Sequence, residues 1–305
     1  SGKYFESVQY GVEKGGKLDY EKVGVLVKKE KPKVIFAGTT AYPFKIDFKK
    51  FGRIAESVGA YLVADISHIA GLVVGQVHQS PVDYAHLVTA TTHKTLRGPR
   101  GAVILVTEKG LNKDKDLSSK IDKAVFPGLQ GGPHVNTIAA IAAALEEASR
   151  PGFKTYAENI SLNAKSLEKS LRKKGLEVFG TENHLMLIDF SSFGGGAQMA
   201  IALEEAGIIV NKNQIPHDNY PPFYPSGIRV GTPAVTTRGL GEKDMAKIAD
   251  WIYQVYENVK GYELPSEGRR TFIKDFKNLI EKNKNVQNIK REVNEFANQF
   301  PLYSN

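Results

Sequence analysis

The stretch Val88–Gly101, VTATTHKTLRGPRG, decides how the chain is interpreted. An apolar run leads into the string Thr91–Lys94, and a Gly/Pro/Arg turn follows before the chain resumes as the apolar run Ala102–Val106. A lysine between two predicted buried strands is badly placed for a solvated charge. It suits an amine that is kept partly desolvated and that can attack a carbonyl to form a Schiff base.

The biological carbonyl most often bound in this way belongs to pyridoxal phosphate. A Thr-Thr-His-Lys string by itself is more typical of an ordinary polar loop that follows a strand. The hypothesis of a pyridoxal phosphate site therefore depends on finding the other parts of such a site elsewhere in the chain.

Composition narrows the class of protein. A chain of 305 residues predicts two domains with a substantial core. Its net charge of +8 comes from basic residues that are spread among acidic and apolar residues. This pattern is typical of solvated helix faces rather than of a nucleic-acid-binding surface.

The absence of cysteine excludes disulfides and cysteine zinc sites, and we assign no metal site. No membrane-length apolar run or signal peptide is present, so we expect a cytoplasmic protein with no membrane partner.

Apolar β-branched runs alternate with helical patterns in the first half. Strands are predicted at 33–37, 60–65, 84–90 and 102–106, and helices from Asp47 to Gly59 and at 135–148. This alternation predicts an α/β fold with a doubly wound, mainly parallel sheet. The Pro/Gly turn at 150–152 predicts a boundary between a large domain, 1–149, and a smaller α+β domain, 150–305. The small domain is predicted to contain helices at 153–174, 194–206 and 243–259, two more within 267–300, and strands at 186–190, 208–210 and 228–231.

Polar residues follow three of the predicted strands. In doubly wound sheets, ligands bind outside the carboxyl ends of the strands, so we expect Thr39–Tyr42, Asp65–His68 and Thr91–Lys94 to share one site. The carboxylate of Asp65 could pair with the pyridine nitrogen of the cofactor, or it could cap the following turn. His68 could donate to the ring oxygen of the cofactor or face the substrate, or be a polar group at a core edge.

Three further features complete the candidate site. Thr40 and Thr91 offer hydroxyl groups, although threonine is common at strand ends. Gly131 and Gly132 offer backbone N–H groups to a phosphate, with an ordinary loop as the alternative. Arg229, in SGIRVGTPAVTTRG, could hold a substrate carboxylate by two parallel hydrogen bonds, or it could form a surface ion pair.

Assembled, these motifs resemble the serine hydroxymethyltransferase family. The resemblance rests on DISHIAGLVVGQVH, VTATTHKTLRGPRGA, FPGLQGGPH, VNKN and SGIRVGTPAVTTRG, and it extends over nearly the whole chain. It implies the fold type I architecture of pyridoxal phosphate enzymes and a homodimer or a dimer of dimers. It also implies interconversion of serine and glycine, with tetrahydrofolate as the cosubstrate that receives the one-carbon unit.

The resemblance assigns roles around the cofactor. Lys94 is implied to be the Schiff-base lysine, and Asp65 the partner of the pyridinium nitrogen. His68 is implied to contact the ring oxygen or the substrate, and Thr91 to lie on the lysine side of the cofactor. Thr40 stands where the family has a serine beside the ring oxygen, which keeps the hydroxyl and adds a methyl group. Contact with the cofactor phosphate of the neighbouring subunit is implied for Gly131 and Gly132.

The resemblance also assigns residues to the substrates. Arg229 is implied to bind the amino-acid carboxylate, and His93 to influence substrate specificity. Folate contacts are implied for Asn213 and for the loop that contains Pro222 and Phe223. The family often has serine at the position of Pro221, so this folate contact departs from the family pattern.

The family carries a further segment before the position of Ser1, with a general acid/base glutamate, two active-site tyrosines, a Ser-Gly phosphate cradle and a histidine that stacks on the cofactor. The resemblance therefore predicts weak cofactor binding and little transfer by these 305 residues alone. Three alternatives stay open: a catalytically incompetent fragment or non-enzymatic subunit that pairs with a full-length partner, a related aldolase similar to threonine aldolase, and a nucleic-acid binder.

Overall fold

The computed structural model describes residues 2–302, which form two compact units. Unit 1 comprises 2–13, Lys17–Thr40 and Lys45–Glu158, and unit 2 comprises Lys14–Gly16, Ala41–Phe44 and 159–302. The units divide inside a helix, after Glu158, rather than at the Pro/Gly turn of residues 150–152. As a statement about domains, the boundary between residues 149 and 150 stays a prediction.

Unit 1 is built on a four-stranded sheet. Its strands are β1 (Val34–Gly38), β2 (Tyr61–Asp65), β3 (Leu87–Thr91) and β4 (Ala102–Val106). Its helices are α1 (Tyr20–Glu30), α2 (Phe48–Glu56), α3 (Ala70–Val74), α4 (Glu108–Lys113), α5 (Leu117–Val125), α6 (Val135–Ala148) and the first part of α7 (Pro151–Lys173). The strand order is β1-β2-β3-β4, with β1, β2 and β3 parallel and β4 antiparallel to β3. The prediction of an α/β fold with a mainly parallel sheet is confirmed.

The prediction that β4 is a buried strand is wrong. Ile104 and Leu105 are 43% and 52% exposed, and they point to opposite faces because side chains alternate along a strand. The connection between β3 and β4 spans only residues 92–101, too short for the crossover that a parallel neighbour requires. Lys94 therefore lies between the half-buried β3 and an exposed edge strand, rather than between two buried strands.

Helix α2 shows how local sequence places an element against the sheet. Asp47 accepts a hydrogen bond from the backbone N–H of Lys50 at 2.9 Å, which confirms the predicted cap. Phe48, Phe51 and Ala55 follow at helical spacing and are completely buried. Burial of each phenylalanine contributes roughly 1.5–3 kcal/mol, and it fixes α2 against β1 and β2.

Unit 2 contains a second four-stranded sheet, and all of its strand pairs are antiparallel. The strands are β5 (Glu177–Val178), β6 (Leu185–Asp189), β7 (Asn211–Asn213) and β8 (Gly227–Gly231), in the order β5-β6-β8-β7. After α7, its helices are α8 (Gly196–Glu205), α9 (Pro233–Thr237), α10 (Glu242–Val259), α11 (Arg269–Glu281) and α12 (Lys284–Ala297), with a short 3₁₀ helix at Ser191–Phe193. This arrangement agrees with the α+β expectation.

The predicted strand at 208–210 is wrong, and strand pairing begins only at Asn211. The backbone N–H of Ile208 donates to the carbonyl of Leu203, and the N–H of Gly207 donates to Glu204. With Gly207 in the left-handed region (φ 84), these bonds form a Schellman motif that closes α8. The apolar run after Gly207 therefore completes a helix end before the chain can pair as a strand.

The core of unit 2 lies between this sheet and its helices. Its completely buried members include Met186, Ile188 and Ile228 from the strands and Met199, Leu203 and Val255 from the helices. Within residues 2–302, no helix is long and apolar enough to cross a membrane.

Candidate active site

The first three strands of unit 1 bring the candidate cofactor residues to one edge of the sheet. Gly38 ends β1, Asp65 ends β2 and Thr91 ends β3, and these strands are parallel. Gly38 pairs with Asp65, and Asp65 pairs with Thr89. The segments that carry Asp65 and Lys94 therefore leave the sheet side by side.

Hydrogen bonds then join these two segments beyond the strands. The backbone N–H of Thr91 donates to Ser67 Oγ at 3.1 Å, and Thr91 Oγ1 donates to the Ser67 carbonyl at 3.4 Å. Thr95 Oγ1 donates to the carbonyl of His68 at 3.2 Å and accepts from the N–H of Gly71 at 2.9 Å. Ser67 lies inside the predicted segment Asp65–His68, although the sequence assigns it no role of its own. Sequence reasoning missed Thr95, whose only signal is its position next to Lys94.

Asp65 caps the turn that follows β2 and leaves its second carboxylate oxygen available. Its Oδ1 accepts the backbone N–H of Ser67 at 2.9 Å, which is the turn-capping role. No hydrogen bond from the described residues reaches its Oδ2, and the side chain is half-buried. The backbone of β1 approaches Asp65 so closely that a Cβ on Gly38 would lie only 2.6 Å from the Cβ of Asp65. The carboxylate is thus held by one oxygen and can bind a ligand with the other.

Lys94 lies in a tightly closed loop. Thr92 donates through Oγ1 to the carbonyl of Pro99 at 2.7 Å and accepts at its own carbonyl from the N–H of Gly98 at 2.8 Å. The N–H of Arg97 donates to the carbonyl of Lys94 at 3.0 Å, and Arg97 adopts a left-handed backbone (φ 61). The side chain of Lys94 is half-buried. These bonds fix the backbone from which the amine projects.

The donor set fits pyridoxal phosphate. Nδ1 of His93 is buried and has no hydrogen-bond partner among residues 2–302, so a polar ligand atom would satisfy it. The half-buried amine of Lys94 suits a carbonyl, and the available oxygen of Asp65 suits a protonated ring nitrogen. The three side chains belong to one compact unit.

Thr40 and the two glycines lie outside the segments 65–71 and 91–95 in the sequence. Thr40 follows β1 by two residues and is exposed. Gly131 and Gly132 are exposed in the loop before α6, and no described atom lies within 4 Å of a Cβ built on either. The backbone of both glycines is therefore accessible to a ligand or to another chain.

Arg229 lies in the middle of β8 in unit 2, paired with Leu187 on one side and Asn211 on the other. Its Nη2 donates to Oδ1 of Asn211, a neutral amide, at 2.8 Å. Burial lowers the pKa of the guanidinium from its ordinary value. A half-buried guanidinium beside a neutral amide suits an anionic ligand.

The candidate folate residues follow in unit 2. Nδ2 of Asn213 donates to the carbonyl of Gln214 at 2.6 Å, and Pro222 and Phe223 are exposed, Phe223 by 76%. Lys212 Nζ donates to the carbonyl of Phe223 at 2.8 Å and lies 5.2 Å from its ring centroid. Lys212, which sequence reasoning missed, therefore ties this exposed aromatic loop to β7.

Comparisons with known proteins agree with the motifs. A family model described as serine hydroxymethyltransferase matches residues 1–252. The chain is 52% identical over 263 residues to the serine hydroxymethyltransferase of Sorangium cellulosum, covering 85% of this chain and 60% of that protein. It is 52% identical over 259 residues to the Acidothermus cellulolyticus protein of that name (84% and 59% covered). It is 46% identical over 309 residues to the Bartonella henselae protein of that name (100% and 66% covered).

The chain spans 59–66% of the length of these curated relatives. The family model nevertheless covers most of the chain, including both candidate site regions. The expected fold type I class of pyridoxal phosphate enzymes is confirmed by this match together with the mixed α/β architecture. By motif, by fold and by relatives that share about half of its aligned residues, the chain belongs to the serine hydroxymethyltransferase family.

Proposed function

We propose that the chain carries the cofactor- and amino-acid-binding part of an enzyme that interconverts serine and glycine and passes the one-carbon unit to tetrahydrofolate. The observation that carries this proposal is the joining of segments 65–71 and 91–95 by side-chain hydrogen bonds at the carboxyl edge of the sheet. These bonds fix the backbone of the segments that carry Asp65, His68 and Lys94, which supports a cofactor site because such a site requires a fixed arrangement.

Five residues of unit 1 would hold pyridoxal phosphate: Lys94, Asp65, His68, Thr91 and Thr40. When bound, the cofactor supplies a ring that withdraws electrons from the α-carbon of the amino acid. Asp65 would keep a proton on the pyridine nitrogen, and His68 would donate to the ring oxygen or to the substrate. Lys94 would bind the cofactor through its amine. The hydroxyl groups of Thr91 and Thr40 would complete the polar surroundings.

The substrates would be oriented by the remaining candidates. Arg229 would bind the amino-acid carboxylate by two parallel hydrogen bonds, which restricts rotation and places the α-carbon for reaction. His93 would influence which amino acid is accepted. Asn213, Pro222 and Phe223 would contact the folate cosubstrate.

Association of subunits belongs to the same proposal. Gly131 and Gly132 would reach the cofactor phosphate of a neighbouring subunit, in a homodimer or a dimer of dimers. Their loop leads into α6, where Val135 and Ile138 are 69% and 53% exposed. An apolar surface of this kind supports association with another chain. The cytoplasmic location expected from the sequence stays a prediction.

An absorbance titration with pyridoxal phosphate tests the cofactor site. The purified chain should develop a visible band of bound cofactor, and Lys94→Ala should abolish it because the binding amine is gone. Lys49→Ala, which removes an exposed lysine on α2, is the matched control and should keep the band. Identical spectra for the wild type and Lys94→Ala would rule out the role of Lys94.

The exposure of α6 favours a second candidate, a non-enzymatic subunit or incompetent fragment that pairs with a full-length family member. Only Ala148 of this apolar helix is buried. Mixing the chain with an intact relative and measuring heterodimers by size-exclusion chromatography with light scattering tests this candidate.

Tetrahydrofolate-dependent exchange of the glycine α-proton separates the hydroxymethyltransferase from a threonine aldolase, which needs no folate.

A further inference from the structure

Unit 2 contains a cleft of about 590 Å³ formed by segments that are far apart in the sequence. Its lining includes Lys14, Phe179, Asp189, the turn at 215–220, Ser226 and Arg269. The proposed amino-acid and folate residues do not line it. We propose that this cleft binds a small organic anion with an apolar ring and one phosphate or carboxylate group.

A buried hydroxyl group indicates that the cleft receives a polar ligand atom. Ser226 is completely buried, and its Oγ has no hydrogen-bond partner among the described residues. Its backbone N–H donates to Oδ2 of Asp218 at 3.0 Å, so the residue is held firmly in place. Buried polar atoms in native proteins are almost always paired, and a ligand that reaches Ser226 would supply the partner.

The acidic residues of the cleft are used to shape its wall. Asp218 Oδ1 accepts the N–H of Tyr220 at 2.9 Å, and its Oδ2 accepts the N–H of Ile215 at 3.3 Å in addition to that of Ser226. Asp189 Oδ1 accepts the N–H of Ser191 at 2.7 Å. Backbone donors thus partly compensate both negative charges.

The cationic side chains remain available. Within residues 2–302, Lys14 and Arg269 form no ion pair, and Arg269 uses only its Nε, which donates to the carbonyl of Pro265 at 2.9 Å. The two terminal nitrogens of Arg269 can therefore bind an anion side by side, which suits phosphate or carboxylate. Phe179 and Tyr220 supply aromatic surface for a ring. The volume lies within the range of small-molecule sites.

Ligand-observed NMR titrations test the proposal without cofactor or turnover. Phenyl phosphate and benzoate are the probes, and benzyl alcohol is the neutral control. We expect saturable binding of at least one anion with a Kd of about 1 mM, the scale for a fragment of about ten non-hydrogen atoms. Benzyl alcohol should bind about tenfold more weakly. Preference for phenyl phosphate identifies a phosphate ligand, and preference for benzoate a carboxylate.

Two variants locate the binding. Arg269→Gln should weaken anion binding about tenfold, whereas Arg270→Gln, at the exposed neighbouring position, should leave it unchanged. Ser226→Ala should weaken binding without lowering Tm, because it removes a hydroxyl that has no partner within the protein. The proposal is overturned if neither anion binds saturably, if benzyl alcohol binds equally well, or if Arg269→Gln binds like the wild type.

Discussion

Replacement of His86 by alanine should destabilise unit 1, because this side chain starts the pairing of β2 with β3. His86 is 4% exposed, and its Nδ1 accepts the backbone N–H of Leu62 at 2.9 Å. The backbone N–H of His86 donates back to the carbonyl of Leu62 at 2.9 Å. The imidazole also packs edge-on against Tyr61, with ring centroids 5.3 Å apart.

The size of the effect follows from these contacts. Leaving the buried N–H of Leu62 without an acceptor costs about 1–3 kcal/mol. Losing the aromatic contact with Tyr61 costs about 0.5–1.5 kcal/mol more. We therefore expect His86→Ala to lower the free energy of unfolding by about 2–4 kcal/mol, a large part of the roughly 5–15 kcal/mol typical of native proteins.

The same contact makes stability depend on pH. Burial lowers the pKa of His86 from its ordinary value of 6.5; Lys113 and Lys109 lower it further, and Glu56 opposes them. Below pH 6.5 the unfolded chain binds a proton that the folded state resists, so stability falls as the pH drops below 6.5. The contribution of one group cannot exceed about 1.4 kcal/mol per pH unit. His86→Ala lacks this contribution, so the difference between wild type and variant should shrink in acid.

Urea denaturation followed by circular dichroism at pH 7.5 and 5.5 measures both effects, and hydrogen exchange at the Leu62 amide reports the bond itself. His134→Ala, at an exposed position, should stay within about 0.5 kcal/mol of the wild type at both pH values. A variant His86→Ala as stable as the wild type at pH 7.5, or a wild type with the same pH slope as the variant, would refute the reasoning.

Three other substitutions probe both units. Gly71→Ala would place a Cβ 2.7 Å from the carbonyl carbon of Thr95. It should lower the free energy of unfolding by about 1–3 kcal/mol and weaken the cofactor band. An unchanged midpoint in urea denaturation would contradict this. Arg229→Lys keeps the charge but loses the paired donors, so glycine should bind about tenfold more weakly in a titration of the bound cofactor spectrum, and equal affinity would exclude the role. Asn163→Ala removes a side chain that is 1% exposed and donates to the carbonyl of Leu240 at 2.9 Å. The free energy of unfolding should therefore fall by about 1–3 kcal/mol. An unchanged free energy of unfolding would show that the bond contributes nothing.

Elements with a clear local pattern could be predicted. Helix α6 occupies 135–148 as expected, because an alanine-rich run between His134 and the Pro/Gly turn has few alternatives. Asp47 caps α2, because a carboxylate before an apolar helical pattern satisfies the first free N–H groups. Both outcomes depend on residues within one or two turns of each other.

Elements whose local sequence gives a mixed pattern could not be predicted. Helix α1 has no counterpart in the prediction, because Val23, Gly24, Val25 and Val27 lower helix propensity. Its stability comes instead from burial of Val23 and Val27 and from the cap at Asp19. The exposure of β4 depends on what covers a strand, which local sequence does not encode.

At the candidate site, the sequence by itself determined which polar residues end the parallel strands. Asp65 and Thr91 end neighbouring parallel strands, and the carboxyl ends of such strands meet at one edge whatever else the chain does. Only the tertiary structure decided how these groups are held. The bonds from Thr91 to Ser67 and from Thr95 to His68 join residues 24 and 27 positions apart, and no local pattern specifies which hydroxyl will find which carbonyl. That choice is made when the strands pair and bring the two segments within hydrogen-bonding distance.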